Sequence, residues 1–247
     1  MNRPSKNTSS ILPLALEGVS FEAGGKRLIK DFTCRFESGP RTVIIGANGA
    51  GKSLLMRLCH GLIGPSAGRI AWLGAEEKGV NPAPYQAMVF QRPVMLRRSV
   101  AANVDYALSL RGMPRAERAE RVAEALARTG LRGRARHPAR VLSVGEQQRL
   151  ALTRAWALDP QVLFLDEPTA SLDPAAAHAV ENVINAIHKA GTRVIMTTHD
   201  LGQARRMGDE ILFIHRGRLL ERASTERFFT APRNDLSQAF IRGELVR

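Results

Sequence analysis

Eight consecutive residues carry the strongest chemical signal in this chain: Gly46, Ala47, Asn48, Gly49, Ala50, Gly51, Lys52 and Ser53. Glycines at 46, 49 and 51 permit a backbone path that turns successive N–H groups inward, where they meet phosphate oxygens. A helix opening near Lys52 adds the positive end of its dipole. The Lys52 ammonium suits the β- and γ-phosphates of a nucleotide, and the Ser53 hydroxyl suits Mg²⁺. The plain alternative is a glycine-rich turn before a buried helix. The β-branched run 41–45 ahead of the loop and the apolar Leu54, Leu55 and Leu58 behind it supply the strand and helix that a phosphate loop requires. A nucleoside triphosphate is the expected ligand.

Two further groups fit that chemistry. Asp166 and Glu167 follow the apolar run 162–165, at what reads as a buried strand end, where ligands bind in α/β sheets. Asp166 suits Mg²⁺, through water. Glu167 suits the water that attacks the γ-phosphate. Solvated acids at a strand end are the plain reading of the same pair. Ser143 with Glu146 three residues on has the form of a capping box that simply starts a helix. The sharper reading is that Ser143 and the Gly145 N–H bind the γ-phosphate held by a second molecule.

These groups need a scaffold. Residues 14–22 and 28–37 alternate like antiparallel strands around Gly24-Gly25. Residues 69–73 and 86–90 read as strands, and the pattern turns helical from Arg92 to about Arg140. There Pro114 fits a first helical position, and Ala116, Ala119, Val122, Ala123 and Leu126 form an apolar stripe. Residues 161–165 and 192–196 are continuous apolar runs, as in parallel strands buried on both faces. Residues 174–189 and 200–207 read as helices between strands. Residues 211–215 and 218–221 read as a hairpin turning at Arg216-Gly217, and a helical stretch follows from Ser224. The fold class is α/β: a P-loop core with a mostly parallel sheet, an N-terminal antiparallel β subdomain and an inserted α-helical subdomain. The expected boundaries are a flexible tail at 1–13, a nucleotide-binding domain at 14–245 and the helical insert at about 92–145.

Composition narrows the class. Hydrophobic residues make up 44% and charged residues 24%, ordinary for a globular chain. No run is long and apolar enough to span a bilayer, and Pro13 breaks the short run 11–16, which lacks a cleavage-site pattern. Cys34 and Cys59, the two cysteines, sit in apolar patterns and read as buried free thiols of a reducing compartment. The net charge is +13. Residues 92–140 hold twelve arginines against four acids and so account for eight of those charges. Such a balance fits nucleic acid, an anionic membrane face, acidic partner loops or a merely solvated surface.

The set Gly46–Ser53, Gln91, Leu142–Arg149, Leu163–Pro168, Ser171-Leu172-Asp173 and His199 resembles the ATP-binding cassette ATPases in order and spacing, over about residues 14–245. The resemblance implies ATP and Mg²⁺ as cofactors and adds roles to single residues. Phe21 matches the aromatic that stacks on adenine, and Gln91 the glutamine that senses Mg²⁺. Asp173 matches a loop that crosses a dimer interface, and His199 a histidine that contacts the γ-phosphate. Two positions depart from the family's Leu-Ser-Gly-Gly-Gln. Val144 replaces a glycine, and its β-branched side chain disfavours positive φ. Glu146 replaces the glutamine and adds negative charge near a phosphate. Activity is expected to survive in weakened form.

Each site in the family needs the loop of one chain and the signature of another. The expected partner is therefore a second copy in a head-to-tail dimer. Permease chains would dock on the helical insert, whose arginines would meet acidic loops or lipid head groups. Residues 86–104 look like importer cassettes, within those the tungstate, molybdate and phosphate systems. That places the chain on the cytoplasmic face of the inner membrane, with an extracytoplasmic solute-binding protein as a further partner. The competing classes are a non-transport cassette acting on DNA, RNA or iron–sulfur assembly, and a weakly hydrolysing regulator. Nucleic acid is disfavoured, because no aromatic-rich basic platform is present.

Overall fold

The computed structural model describes residues 10–244. In chain order the strands and helices are Leu14–Ala23 (β1), Lys26–Phe36 (β2), Thr42–Ile45 (β3), Lys52–His60 (α1), Ala67–Trp72 (β4), Leu73–Glu76 (α2) and Gln86–Val89 (β5). The helical segment holds Val100–Leu110 (α3), Arg115–Arg128 (α4) and Val144–Ala157 (α5). Then come Val162–Asp166 (β6), Pro174–Lys189 (α6), Arg193–Thr197 (β7), Leu201–Met207 (α7), Glu210–His215 (β8), Arg218–Ser224 (β9), Thr225–Thr230 (α8) and Asp235–Ile241 (α9).

Two sheets result. An antiparallel sheet has the order β2-β1-β4, and a six-stranded sheet has the order β5-β6-β7-β3-β8-β9. In the larger sheet β5, β6, β7, β3 and β8 run parallel, and β9 closes the edge antiparallel to β8. The fold is thus the α/β class expected. Alternation sorts the central strands between two cores. Val43, Ile45, Leu163, Leu165, Val194 and Met196 face the core shared with α3–α7. Ile44, Val162, Phe164 and Ile195 face the core shared with β1, β2 and α1.

Three features differ from the sequence reading. Residues 1–9 of the expected tail lie outside the described residues, but Ile11 is fully buried, and its N–H donates to Gln161 Oε1 at 2.8 Å. Packing therefore begins before residue 14. Residues 92–98 are not helical. Instead Ser99 forms a bridge with Pro138 and caps α3, its Oγ accepting the Ala102 N–H at 3.1 Å. The buried stripe of α4 is Val122, Ala125 and Leu126, rather than the set that includes Ala116, Ala119 and Ala123. Alanine is too small to mark a face on its own.

Among the described residues no helix is long and apolar enough to cross a membrane. Both cysteines are free and buried. Burial pushes the Cys34 thiol up to about 11 and raises that of Cys59 further.

Candidate functional site

The loop Gly46–Ser53 joins the fully buried β3 to α1. Its glycines answer to specific constraints. At Gly46, φ is +155° and a Cβ would sit 2.1 Å from the Ile214 carbonyl oxygen. At Gly51, φ is +104° and a Cβ would meet Ile29 Cδ1 at 2.8 Å. At Gly49, φ is +79° with open space around it, so conformation alone requires glycine. A turn far along the chain braces the loop: the Gly217 N–H donates to the Ala50 carbonyl at 3.0 Å, and the Lys30 N–H to the Gly217 carbonyl at 2.9 Å.

Lys52 is folded back into the loop. Its Nζ donates to the carbonyls of Gly46 at 2.9 Å and Ala47 at 3.3 Å, and stands 3.7 Å from Glu167 Oε1. Burial lowers the Lys52 pKa, an effect opposed by Glu167 and Asp166. The Ser53 hydroxyl donates to Asp166 Oδ1 at 2.8 Å, and the Thr197 hydroxyl donates to the same oxygen at 2.8 Å. Thr197 Oγ1 also accepts the Glu167 N–H at 3.0 Å, so one hydroxyl at the end of β7 orients both acids. Glu167 holds a positive φ of 45°. Such a conformation persists where the surroundings enforce it, and it occurs often at functional sites. His199 Nδ1 lies 3.0 Å from Glu167 Oε2.

A cleft of about 590 Å³ opens over this cluster. Its walls include Asn48, Gly49, Gly51, Lys52, Ser53, Gln91, Glu167 and His199. Residues from four separate stretches of sequence thus meet beyond the carboxyl ends of β3, β5, β6 and β7, where an open α/β sheet presents ligands.

A family model described as ABC transporter matches residues 29–170, more than half of the chain. The chain belongs to this family. It is an ATP-binding subunit of ABC type, and an ATPase. A phosphate import ATP-binding protein of Natronomonas pharaonis is 37% identical, over 94% of this chain and 87% of that protein. A methionine import ATP-binding protein of Nocardia farcinica is also 37% identical, over 88% and 68%. The ATP-binding protein of a tungstate uptake system of Peptoclostridium acidaminophilum is 38% identical, over 85% and 98%. Among solved structures, cbiO1 from Clostridium perfringens, described as part of the ABC transporter complex cbiONQ, superposes with a TM-score of 0.78 at 27% identity, covering 95% of this chain and 96% of that one.

The remaining expected site residues of this ABC ATPase lie elsewhere. Phe21 is off the cleft wall: it is half-buried against the core of the antiparallel sheet, opposite Ile29. Leu28 of β2, 41% exposed, lines the cleft instead. Ser143, Gly145, Glu146 and Asp173 are also absent from that wall. They form a second cluster. Ser143 is the N-cap of α5, and both bonds of the capping box are made: Ser143 Oγ accepts the Glu146 N–H at 3.3 Å, and Glu146 Oε2 accepts the Ser143 N–H at 2.9 Å. Asp173 caps α6, accepting the Ala176 N–H at 2.9 Å. The two helix starts touch at Gly145, where a Cβ would stand 2.8 Å from Ala176 Cβ.

Both departures in the signature prove mild here. Val144 is the first residue of α5, outside the positive-φ set, and 61% exposed, so no strain attaches to its branched side chain. Glu146 is turned back on its own cap, and Arg134 Nε donates to its Oε1 at 3.1 Å. The Ser143 N–H first, and then Arg134, hold its carboxyl below the usual range.

Sequence reasoning missed Leu28, Thr197, Gly217 and Arg134. Each reaches the site through pairing between distant stretches, which leaves no local pattern.

Proposed function

We propose that this ATPase energises an ABC importer for tungstate or a related oxyanion, working as a head-to-tail dimer. The observation that supports it is the division of the site. The cleft holds Lys52, Ser53, Gln91, Glu167 and His199, while the exposed start of α5 with Ser143 stands apart from it. A nucleotide in the cleft would have one face uncovered, and a second copy would cover it with Ser143 and the Gly145 N–H.

In this reading the N–H groups of residues 46–53 cradle the phosphates, and Lys52 exchanges its carbonyl partners for phosphate oxygens. Glu167 takes the proton of the attacking water. His199, bonded to Glu167, orients that carboxylate and reaches the γ-phosphate. Ser53 and Asp166 present adjacent oxygens, a donor set that suits Mg²⁺, which takes few protein ligands and keeps water and phosphate oxygens. When bound, Mg²⁺ would neutralise phosphate charge there, with Gln91 at the rim. Glu146 and Asp173 hold the two helix starts that meet the partner copy. Phe21, paired with Ile29 on β2, would meet the base beside Leu28, which lines the wall.

The oxyanion assignment draws on the phosphate and tungstate relatives, and the methionine relative of similar identity is its rival. Permease chains would dock in the apolar groove lined by Phe90, Val94, Leu96, Tyr106 and Leu110, on the cytoplasmic face of the membrane. A solute-binding protein would deliver the substrate from the other side. The test is reconstitution of this chain in vesicles with a candidate oxyanion permease from the same organism. Tungstate with its binding protein should raise ATP turnover severalfold. Stimulation by methionine, with no response to tungstate, molybdate or phosphate, would overturn the substrate; failure to form any complex with the permease would overturn transport.

A further inference from the structure

Arg97, Arg98, Arg136 and Arg140 line one concavity of about 430 Å³, together with Ser99 and Pro138. The acids of the surrounding segment are committed elsewhere or stand apart: Asp105 pairs with Arg118, and Glu124 with Arg121 and Arg128. Arg98 lies over the Tyr106 ring at 4.8 Å, and Arg140 Nε donates to the Met95 carbonyl at 3.5 Å. Arg97 and Arg136 have no side-chain hydrogen bond or ion pair among the described residues. Four guanidiniums therefore share one concavity, with no carboxylate among them.

The backbone beneath is firmly set. The Val100 N–H donates to the His137 carbonyl and the Ala139 N–H to the Arg98 carbonyl, both at 2.9 Å. Asn103, fully buried, accepts the Leu96 N–H at 3.1 Å and donates to the Ser99 carbonyl at 3.0 Å. The arginines thus project from two short stretches locked side by side. Like charges gathered without counter-ions cost stability unless a ligand supplies the opposite charge.

We propose that this concavity binds the phosphate of an anionic phospholipid headgroup. Four guanidiniums call for more than one anionic group, and a surface of anionic headgroups presents several phosphates side by side to their planar forks. Val141, 69% exposed, follows Arg140 directly in the chain and adds an exposed apolar side chain to that stretch, as an amphiphile would match. The inference rests on the proposed membrane role for the source of the phosphate. Vesicle binding by the chain alone requires no permease, so the two readings fail separately.

The experiment is co-sedimentation of the full chain with vesicles of phosphatidylglycerol in phosphatidylcholine, at fixed salt, with basal ATP turnover as the control for folding. The double variant Arg97→Ala/Arg136→Ala should lose about tenfold or more in vesicle affinity, since each arginine near an anionic surface contributes about fivefold. The charge-matched pair Arg115→Ala/Arg227→Ala should lose less than about threefold. Arg97→Lys/Arg136→Lys should fall between, keeping charge but not the forked geometry. Equal losses from both alanine pairs would reduce the site to general surface charge and overturn the proposal. Pyrophosphate that binds the concavity while vesicles do not would reassign it to a free phosphate compound. An aspartate-rich peptide that binds where vesicles do not would reassign it to a protein partner.

Discussion

The two regions proposed to meet at the nucleotide site are built in opposite ways. At the loop Gly46–Ser53 the reactive side chains already have partners within the chain: Lys52 on two carbonyls, Ser53 on Asp166, Asp166 and Glu167 on Thr197. That region is braced from five stretches of sequence, with Lys52 and Asp166 buried beneath the open cleft. At the start of α5 the capping bonds are local, Arg134 adds one bond to Glu146 from twelve residues away, and the helix end itself faces solvent. The first half is organised to act on a ligand that enters its own cleft. The second is held by its own helix caps and turns the start of α5 outward, which suits the proposed role in another chain's site.

The contrast predicts effects of graded size. Glu167→Gln keeps the shape of the braced half but removes the proton acceptor. Phosphate release should fall by about 10²- to 10⁴-fold, with ATP still bound in a titration; turnover near the parent level would remove Glu167 from the chemistry. Gly46→Ala and Gly145→Ala then probe the packing of each half. Both added methyls meet close neighbours, Ile214 O at 2.1 Å and Ala176 Cβ at 2.8 Å. Each should cost about 1–3 kcal/mol in urea denaturation, Gly46 more, because its neighbour is backbone and its φ is positive. Gly46→Ala should also abolish ATP binding, and Gly145→Ala should spare it.

Much of the fold is legible in the sequence, because strong periodicity and end signals agree. Residues 174–189 read as a helix, and α6 spans Pro174–Lys189 with Asp173 as its cap. The runs 161–165 and 192–196 became the central strands β6 and β7, all buried. What resisted reading depends on register or on distant pairing. Phe21 lies in β1, where the pairing with β2 shifts between Leu16 and Val19 and again before Phe21. Each shift changes which face a side chain meets, so strand alternation alone does not place the ring. Residues 92–98 lost helicity to the bridge between Ser99 and Pro138, a contact across 39 positions of sequence. At the signature, Val144 read as strained only for want of the observation that it starts a helix.

Smaller effects test the second half. Arg134→Ala should slow turnover about fivefold when Glu146 is present and less than twofold in a Glu146→Gln background, a coupling of about 1 kcal/mol between neighbours. Equal slowing in both backgrounds would show that Arg134 acts without Glu146. Glu146 also brings acid sensitivity. Its folded-state pKa is depressed by the Ser143 N–H and Arg134, so its contribution is present above the ordinary carboxylate range and lost as pH falls through the folded value. Denaturation at pH 7 and near pH 4 should show that Glu146→Gln removes part of the acid dependence. Val144→Gly should change turnover by less than about twofold, since the valine already holds a helical conformation and faces solvent.

The central claim is that the two halves meet only between chains. Sedimentation velocity of the Glu167→Gln variant, which should retain ATP, tests it most directly. Monomer without nucleotide and dimer with ATP, reverting to monomer when Ser143→Arg is added, is the predicted result. A monomer at saturating ATP, or a dimer that Ser143→Arg leaves intact, would contradict it.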